Sequence, residues 1–101
     1  MMLHENIYFI PLGGGQEVGA SCYFLKIGTH NILLDCGIGF HNGLIYEPNL
    51  RFLQQTQFIE SLNQIDQVFI SHAHLDHIGN LPYLMKCCPN VPIFMTETSK
   101  K

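Results

Sequence analysis

Ser71-His72-Ala73-His74-Leu75-Asp76-His77-Ile78-Gly79 gathers three imidazoles and one carboxylate into residues 72–77, while His4, His30 and His41 stand apart without ligand neighbours. Neutral imidazoles with a carboxylate are the donor set that zinc takes in preference to calcium or magnesium, with iron and manganese as weaker candidates. Immediately upstream, Gln67-Val68-Phe69-Ile70 is a short apolar run of the kind that forms a buried strand, so the cluster begins where a strand runs out into a loop. Residues two apart in an extended segment point the same way, which lets His72 and His74 converge on one ion. Asp76 and His77 lie past a turn and ahead of the apolar stretch 78–88, from where they face back toward a second ion close to the first. One loop thereby carries half the ligands of a two-metal site.

Around that loop the pattern predicts a mixed α/β arrangement. Strands are expected over 7–10, 21–27 and 31–34, with Gly28-Thr29-His30 turning the second into the third, as an antiparallel meander. Residues 37–49, rich in Gly, Asn and Pro, read as a loop. Leu50, Leu53, Ile59 and Leu62 recur in a loosely helical rhythm that predicts a helix over 50–62. A strand over 68–71 then leads into the metal loop. A helix follows through about Lys86, accepting Pro82 in its first turn where amide donors have no intrahelical partner. A last strand is expected over 91–95. Strand, helix, strand in that order predicts a parallel crossover with the metal loop at the carboxyl end of its first strand, where α/β sheets place their ligands.

His72-Ala73-His74-Leu75-Asp76-His77 matches the H-x-H-x-D-H signature of the metallo-β-lactamase fold superfamily. Pro11 to Gly19 (PLGGGQEVG), Ser21-Cys22, Leu33-Leu34-Asp35-Cys36-Gly37 and Leu81-Pro82-Tyr83 extend the likeness, and together they resemble the opening of the β-CASP nucleases, the branch of ribonuclease J and the RNA 3′-end-processing endonucleases. The resemblance implies a zinc-dependent hydrolase that, in the intact protein, cleaves RNA phosphodiester bonds. It also implies the N-terminal half of an αββα sandwich, a mixed sheet with flanking helices. Residues 1–101 are then an incomplete N-terminal part of the domain, without its C-terminal half and without the β-CASP domain. In the implied mechanism two zinc ions acidify an attacking water. His72 and His74 hold the first ion, Asp76 and His77 the second, and Asp76 also orients the water. Two other readings share the loop: a small-molecule hydrolase of thioesterase or lactonase type, and an inactive truncated fragment.

Composition narrows these readings. With 47% hydrophobic residues in 101, the chain has ample material for a core. Half of a sandwich nevertheless leaves one sheet face without its partner layer, which favours self-association. A formal charge of −3 is the opposite of a self-sufficient nucleic-acid binder, so a basic track for RNA is expected outside this sequence. No run is long enough for a membrane span, and residues 1–6 lack a positive region ahead of an apolar one, so a cytoplasmic location is expected. Cys22, Cys36, Cys87 and Cys88 contain no C-x-x-C pair and read as buried free thiols.

Two further segments carry structural and functional readings side by side. Gly13-Gly14-Gly15 with Gly19 superficially resembles a phosphate cradle, but Ala20 and Ser21 stand where a P-loop needs Lys and Ser or Thr, so a glycine turn between two strands is expected. Asp35 ends an apolar strand, where an unpaired carboxylate is costly. It reads either as a cap for nearby backbone amides or, as the resemblance favours, as an acid beneath the metal loop that fixes its geometry without binding metal.

Overall fold

A computed structural model describes residues 2–4, 7–13, 20–71 and 78–95. The segments most loaded with motif residues, 14–19 and 72–77, lie outside that set. The described residues form eight strands: β1 (Met2–His4), β2 (Ile7–Gly13), β3 (Cys22–Ile27), β4 (His30–Leu34), β5 (Gly39–His41), β6 (Leu44–Tyr46), β7 (Gln67–Ile70) and β8 (Ile93–Met95). Two short helices, α1 (Leu50–Gln54) and α2 (Leu81–Cys87), and a 3-10 turn at Leu62–Gln64 complete the described elements.

Six strands form one mixed sheet in the order β1-β2-β3-β4-β7-β8. β2, β3 and β4 pair antiparallel, as the expected meander requires. β7 joins β4 in parallel, Leu33 opposite Val68, and β8 joins β7 in parallel, Val68 opposite Ile93. The β7-α2-β8 crossover is therefore as expected. Its other join is stitched by a buried polar residue: Asn31 donates its N–H to Asp66 Oδ2 at 2.7 Å and its side-chain amide to the Gln64 carbonyl at 3.0 Å. Asp66 returns its own N–H to the Asn31 carbonyl at 2.7 Å, which sets where β7 starts against β4.

Alternation along the strands decides which face is filled. Ile10, Leu12, Cys22, Phe24, Leu33, Val68 and Ile70 point to one side and pack with Leu50, Leu53, Ile59, Leu62, Leu81 and Leu84 from the helical layer. The opposite face carries a row in register across five strands, Pro11, Tyr23, Leu34, Phe69 and Phe94. Phe69 and Phe94 stack with ring centroids 5.2 Å apart, yet remain 41% and 46% exposed. Among the described residues no element covers this face.

Two expectations are corrected. Residues 37–49 are not a loop throughout: β5 and β6 form a hairpin around Asn42-Gly43, whose φ values of 51° and 77° suit a type I′ turn. The helix expected over 50–62 stops at Gln54. Thr56 Oγ1 donates to the Leu53 carbonyl at 2.7 Å and accepts the Phe58 N–H at 3.2 Å, so a side chain takes the backbone groups that a further turn would use. Phe58 is thereby delivered onto Tyr8, with ring centroids 4.7 Å apart.

Candidate functional site

β4 and β7 are parallel neighbours, so both release the chain at the same edge of the sheet, β4 into Asp35 and β7 into Ser71. Asp35 extends the ladder by donating its N–H to the Phe69 carbonyl at 2.8 Å. Its φ of +64° then turns it out of the strand conformation. The carboxylate accepts the Ser71 N–H on Oδ1 at 2.7 Å and the Ser71 hydroxyl on Oδ2 at 2.8 Å. Ser21 Oγ approaches Oδ2 more loosely, at 3.4 Å. Cys36 continues the brace: its carbonyl accepts the Asn80 N–H at 2.8 Å, while Gly37 N–H donates to the Ser21 carbonyl at 3.0 Å. Three consecutive residues, 35–37, thus hold the residue before His72, a residue shortly after His77, and the residue that follows the glycine loop.

His72, His74, Asp76 and His77 themselves lie outside the described residues, as does the whole Gly-Gln-Glu-Val-Gly loop, residues 15–19. What is described is how both segments are held at their ends. Gly13 and Ala20 flank the glycine loop, and a Cβ on Gly13 would press into the Ala20 carbonyl, so only glycine lets the two ends close at that point. Of the two readings of Asp35, the amide cap is visible directly, in its bond from Ser71. Ser71 and the carbonyl of Cys36 escaped the sequence reading, since one is an ordinary serine and the other acts through its backbone.

Beneath the brace, Cys22 and Cys36 are both fully buried free thiols, as expected. Their mutual hydrogen bond, and after it burial, push the Cys22 thiol well above its ordinary value. Cys88 is raised too, chiefly by burial, and Cys87 is only half-buried. Raised, enclosed thiols are poor nucleophiles and poor metal ligands, which fits packing residues.

The Metallo-beta-lactamase superfamily matches residues 15–98, most of the chain and all of this site. The chain belongs to that superfamily. Integrator complex subunit 11 of Danio rerio is 41% identical over 98 residues, covering 94% of this chain and 16% of the relative. Cleavage and polyadenylation specificity factor 73 of Drosophila melanogaster is 47% identical over 91 residues, covering 89% and 12%. A probable RNase MJ4 of Methanocaldococcus jannaschii is 44% identical over 89 residues, covering 88% and 19%. The resemblance to β-CASP nucleases is borne out by these relatives, of whose length the chain spans at most 19%. Among solved structures, the peroxy diiron species of the chemotaxis sensor ODP superposes with a TM-score of 0.63 at 23% identity, covering 96% of this chain and 38% of that one. The metallo-β-lactamase fold is thus supported by sequence and by shape. Among the described residues, no helix is long and apolar enough to cross a membrane.

Proposed function

We propose that this chain provides the first metal-binding loop of a zinc-dependent hydrolase that cleaves RNA, and that it forms the N-terminal part of the metallo-β-lactamase domain in that protein. The observation that carries the reading is the brace: Asp35 and Cys36 hold Ser71 and Asn80, the two ends of an H-x-H-x-D-H segment, at the carboxyl edge of parallel strands. The donor set fits zinc, since neutral imidazoles and a carboxylate suit a borderline ion. The pair of zinc ions, when bound, supplies an acidified water and polarises the phosphodiester. His72 and His74 serve one ion, and Asp76 and His77 the other. Asp76 orients the attacking water through its carboxylate, and Asp35 keeps the loop in place through Ser71. RNA as substrate draws support from the relatives that act in RNA cleavage by name, RNase MJ4 among them.

Metal analysis and cleavage assays test the reading together. The isolated 101-residue chain is expected to retain zinc weakly and below one ion per chain after dialysis, to lose it on His72→Ala with His74→Ala, and not to hydrolyse RNA. The intact protein is expected to cleave RNA and to lose that activity on Asp76→Asn and on chelation. Two tightly held zinc ions in the isolated chain would overturn the shared site, and a metal-loaded intact protein inert toward RNA would overturn the substrate.

A further inference from the structure

On the helical side of the site lies a recess of about 350 Å³, lined in part by Glu47, Asn49, Arg51, Asn80 and Tyr83. It adjoins the metal loop through Asn80, which stands three residues past His77, a separation that three trans peptides span in at most about 11 Å. Its other wall is fastened to the end of β2, where Asn49 donates its N–H to the Leu12 carbonyl at 2.9 Å. The recess is therefore held between Asn80 on one side and, through Asn49, the end of β2 on the other.

Its chemistry is that of a binding site. Asn80 is only 7% exposed, and among the described residues its side-chain amide takes no hydrogen bond. Among the described residues no side-chain polar atom is sealed from solvent without a partner, so the amide of Asn80, a lining residue of the recess, is not sealed off. An enclosed amide left in this state offers a paired donor and acceptor to a ligand. Asn49 spends its carbonyl oxygen on the Phe52 N–H at 3.2 Å, leaving its amino group as a donor. Arg51 has no carboxylate partner among the described residues, and Tyr83, 43% exposed, presents a ring with no stacking partner there. An aromatic ring, an amide and a guanidinium around a volume at the small end of ligand pockets are the elements that recognise one splayed-out nucleotide: base on ring, base edge on amide, phosphate on guanidinium.

We infer that this recess receives a single nucleotide of the RNA next to the cleaved linkage, with Tyr83 stacking on the base, Asn80 reading its edge and Arg51 holding its phosphate. The inference rests on the RNA-cleaving reading and assigns that reading a subsite. Glu47 adds an acceptor, which selects bases with donors at the edge, guanine above uracil.

The test uses the intact protein carrying Asp76→Asn, so that RNA binds without being cut, and reads binding of a short fluorescent RNA by anisotropy. Tyr83→Ala and Arg51→Ala are each expected to weaken binding about tenfold, the scale of one stacked base. Tyr83→Phe is expected to restore it, and an abasic nucleotide at one position only should erase the Tyr83→Ala difference. Asn80→Asp, which keeps the volume but removes the donor, should shift the base preference at that same position. If RNA is bound and cut by the parent protein while Tyr83→Ala, Arg51→Ala and Asn80→Asp all bind it equally well, the recess is not a subsite and the ribonuclease reading stands. If no RNA is bound or cut but guanosine 5′-monophosphate still shifts the Asn80 side-chain amide resonance in a Tyr83-dependent way, the ribonuclease reading falls and the nucleotide site stands. Loss of both responses overturns both.

Discussion

Asp35 adopts a left-handed backbone, φ +64°, that costs an L-residue roughly 1–2 kcal/mol. Two bonds from Ser71, at 2.7 and 2.8 Å, offset that strain and fix the carboxylate against the residue that precedes the proposed metal loop. Replacing Asp35 with Ala removes the carboxylate and keeps the strain, whereas Asp35→Gly removes both. In the intact protein both variants are expected to lower zinc affinity ten- to a hundredfold, the range for residues that orient ligands, as read by competition with a chelator. Asp35→Gly should be the more stable of the two in urea by about 1 kcal/mol. Zinc retention at the parent level in the Gly variant would remove Asp35 from any positioning role. Cys22 allows a second test. Its folded thiol is raised by the Cys36 hydrogen bond and by burial, so its contribution is fully present below the unfolded thiol's pKa, about 8.5, and is lost as pH rises toward the folded value. Urea unfolding from pH 7.5 to 10 is expected to show stability falling above about pH 8.5, by at most about 1.4 kcal/mol per unit for this group. Cys22→Ala should flatten that part of the profile.

At the scale of elements, the hairpin β5-β6 shows how a polar, glycine-containing stretch can be regular. Asn42 and Gly43 both hold positive φ, and the strands they join pair Phe40 with Ile45. A Cβ at Gly43 would meet nothing within 4 Å, so the effect of a substitution there is one of backbone conformation alone. Gly43→Val is expected to destabilise the hairpin by roughly 1–2 kcal/mol while leaving the core resonances of Phe24 and Leu33 in place, as amide exchange would show. α1 makes the converse point. Leu50 and Leu53 are buried as the apolar rhythm requires, but Thr56 ends the helix, and Ile59 reaches the core from irregular chain and Leu62 from the 3-10 turn. A rhythm of apolar residues reports which side chains are buried, and a helix is only one of the ways of burying them.

Among the described residues, one face of the sheet is packed against the helical layer and the other carries half-exposed aromatic residues. Tyr23, Leu34, Phe69 and Phe94 line an apolar hollow of about 570 Å³ that reaches Asp35 and Ser71. The same surface therefore reaches the strand end that leads into the proposed metal loop. The isolated chain is expected to self-associate through this face, and Phe69→Thr with Phe94→Thr should shift sedimentation velocity profiles toward the monomer. Co-expression with a longer segment of the parent gene is expected to raise solubility and metal content together, since burial of the face and closure of the coordination shell would be one docking event. Improved solubility with unchanged metal occupancy would separate the two and count against a metal site shared between the halves.

Strand alternation over 7–10, 21–27 and 31–34, the end of the strand at Ile70 and the spacing of His72, His74, Asp76 and His77 are local properties, written within a few residues of one another. They were legible in the chain itself, and with them the superfamily and the filled face of the sheet. The bond from Ser71 to Asp35 joins residues 36 apart, and the hold of Cys36 on Asn80 runs through a backbone carbonyl that every residue type possesses. Neither leaves a local signature. Both exist because β4 and β7 lie side by side and parallel, which brings two distant strand ends to one edge, and that adjacency arises only when the sheet assembles.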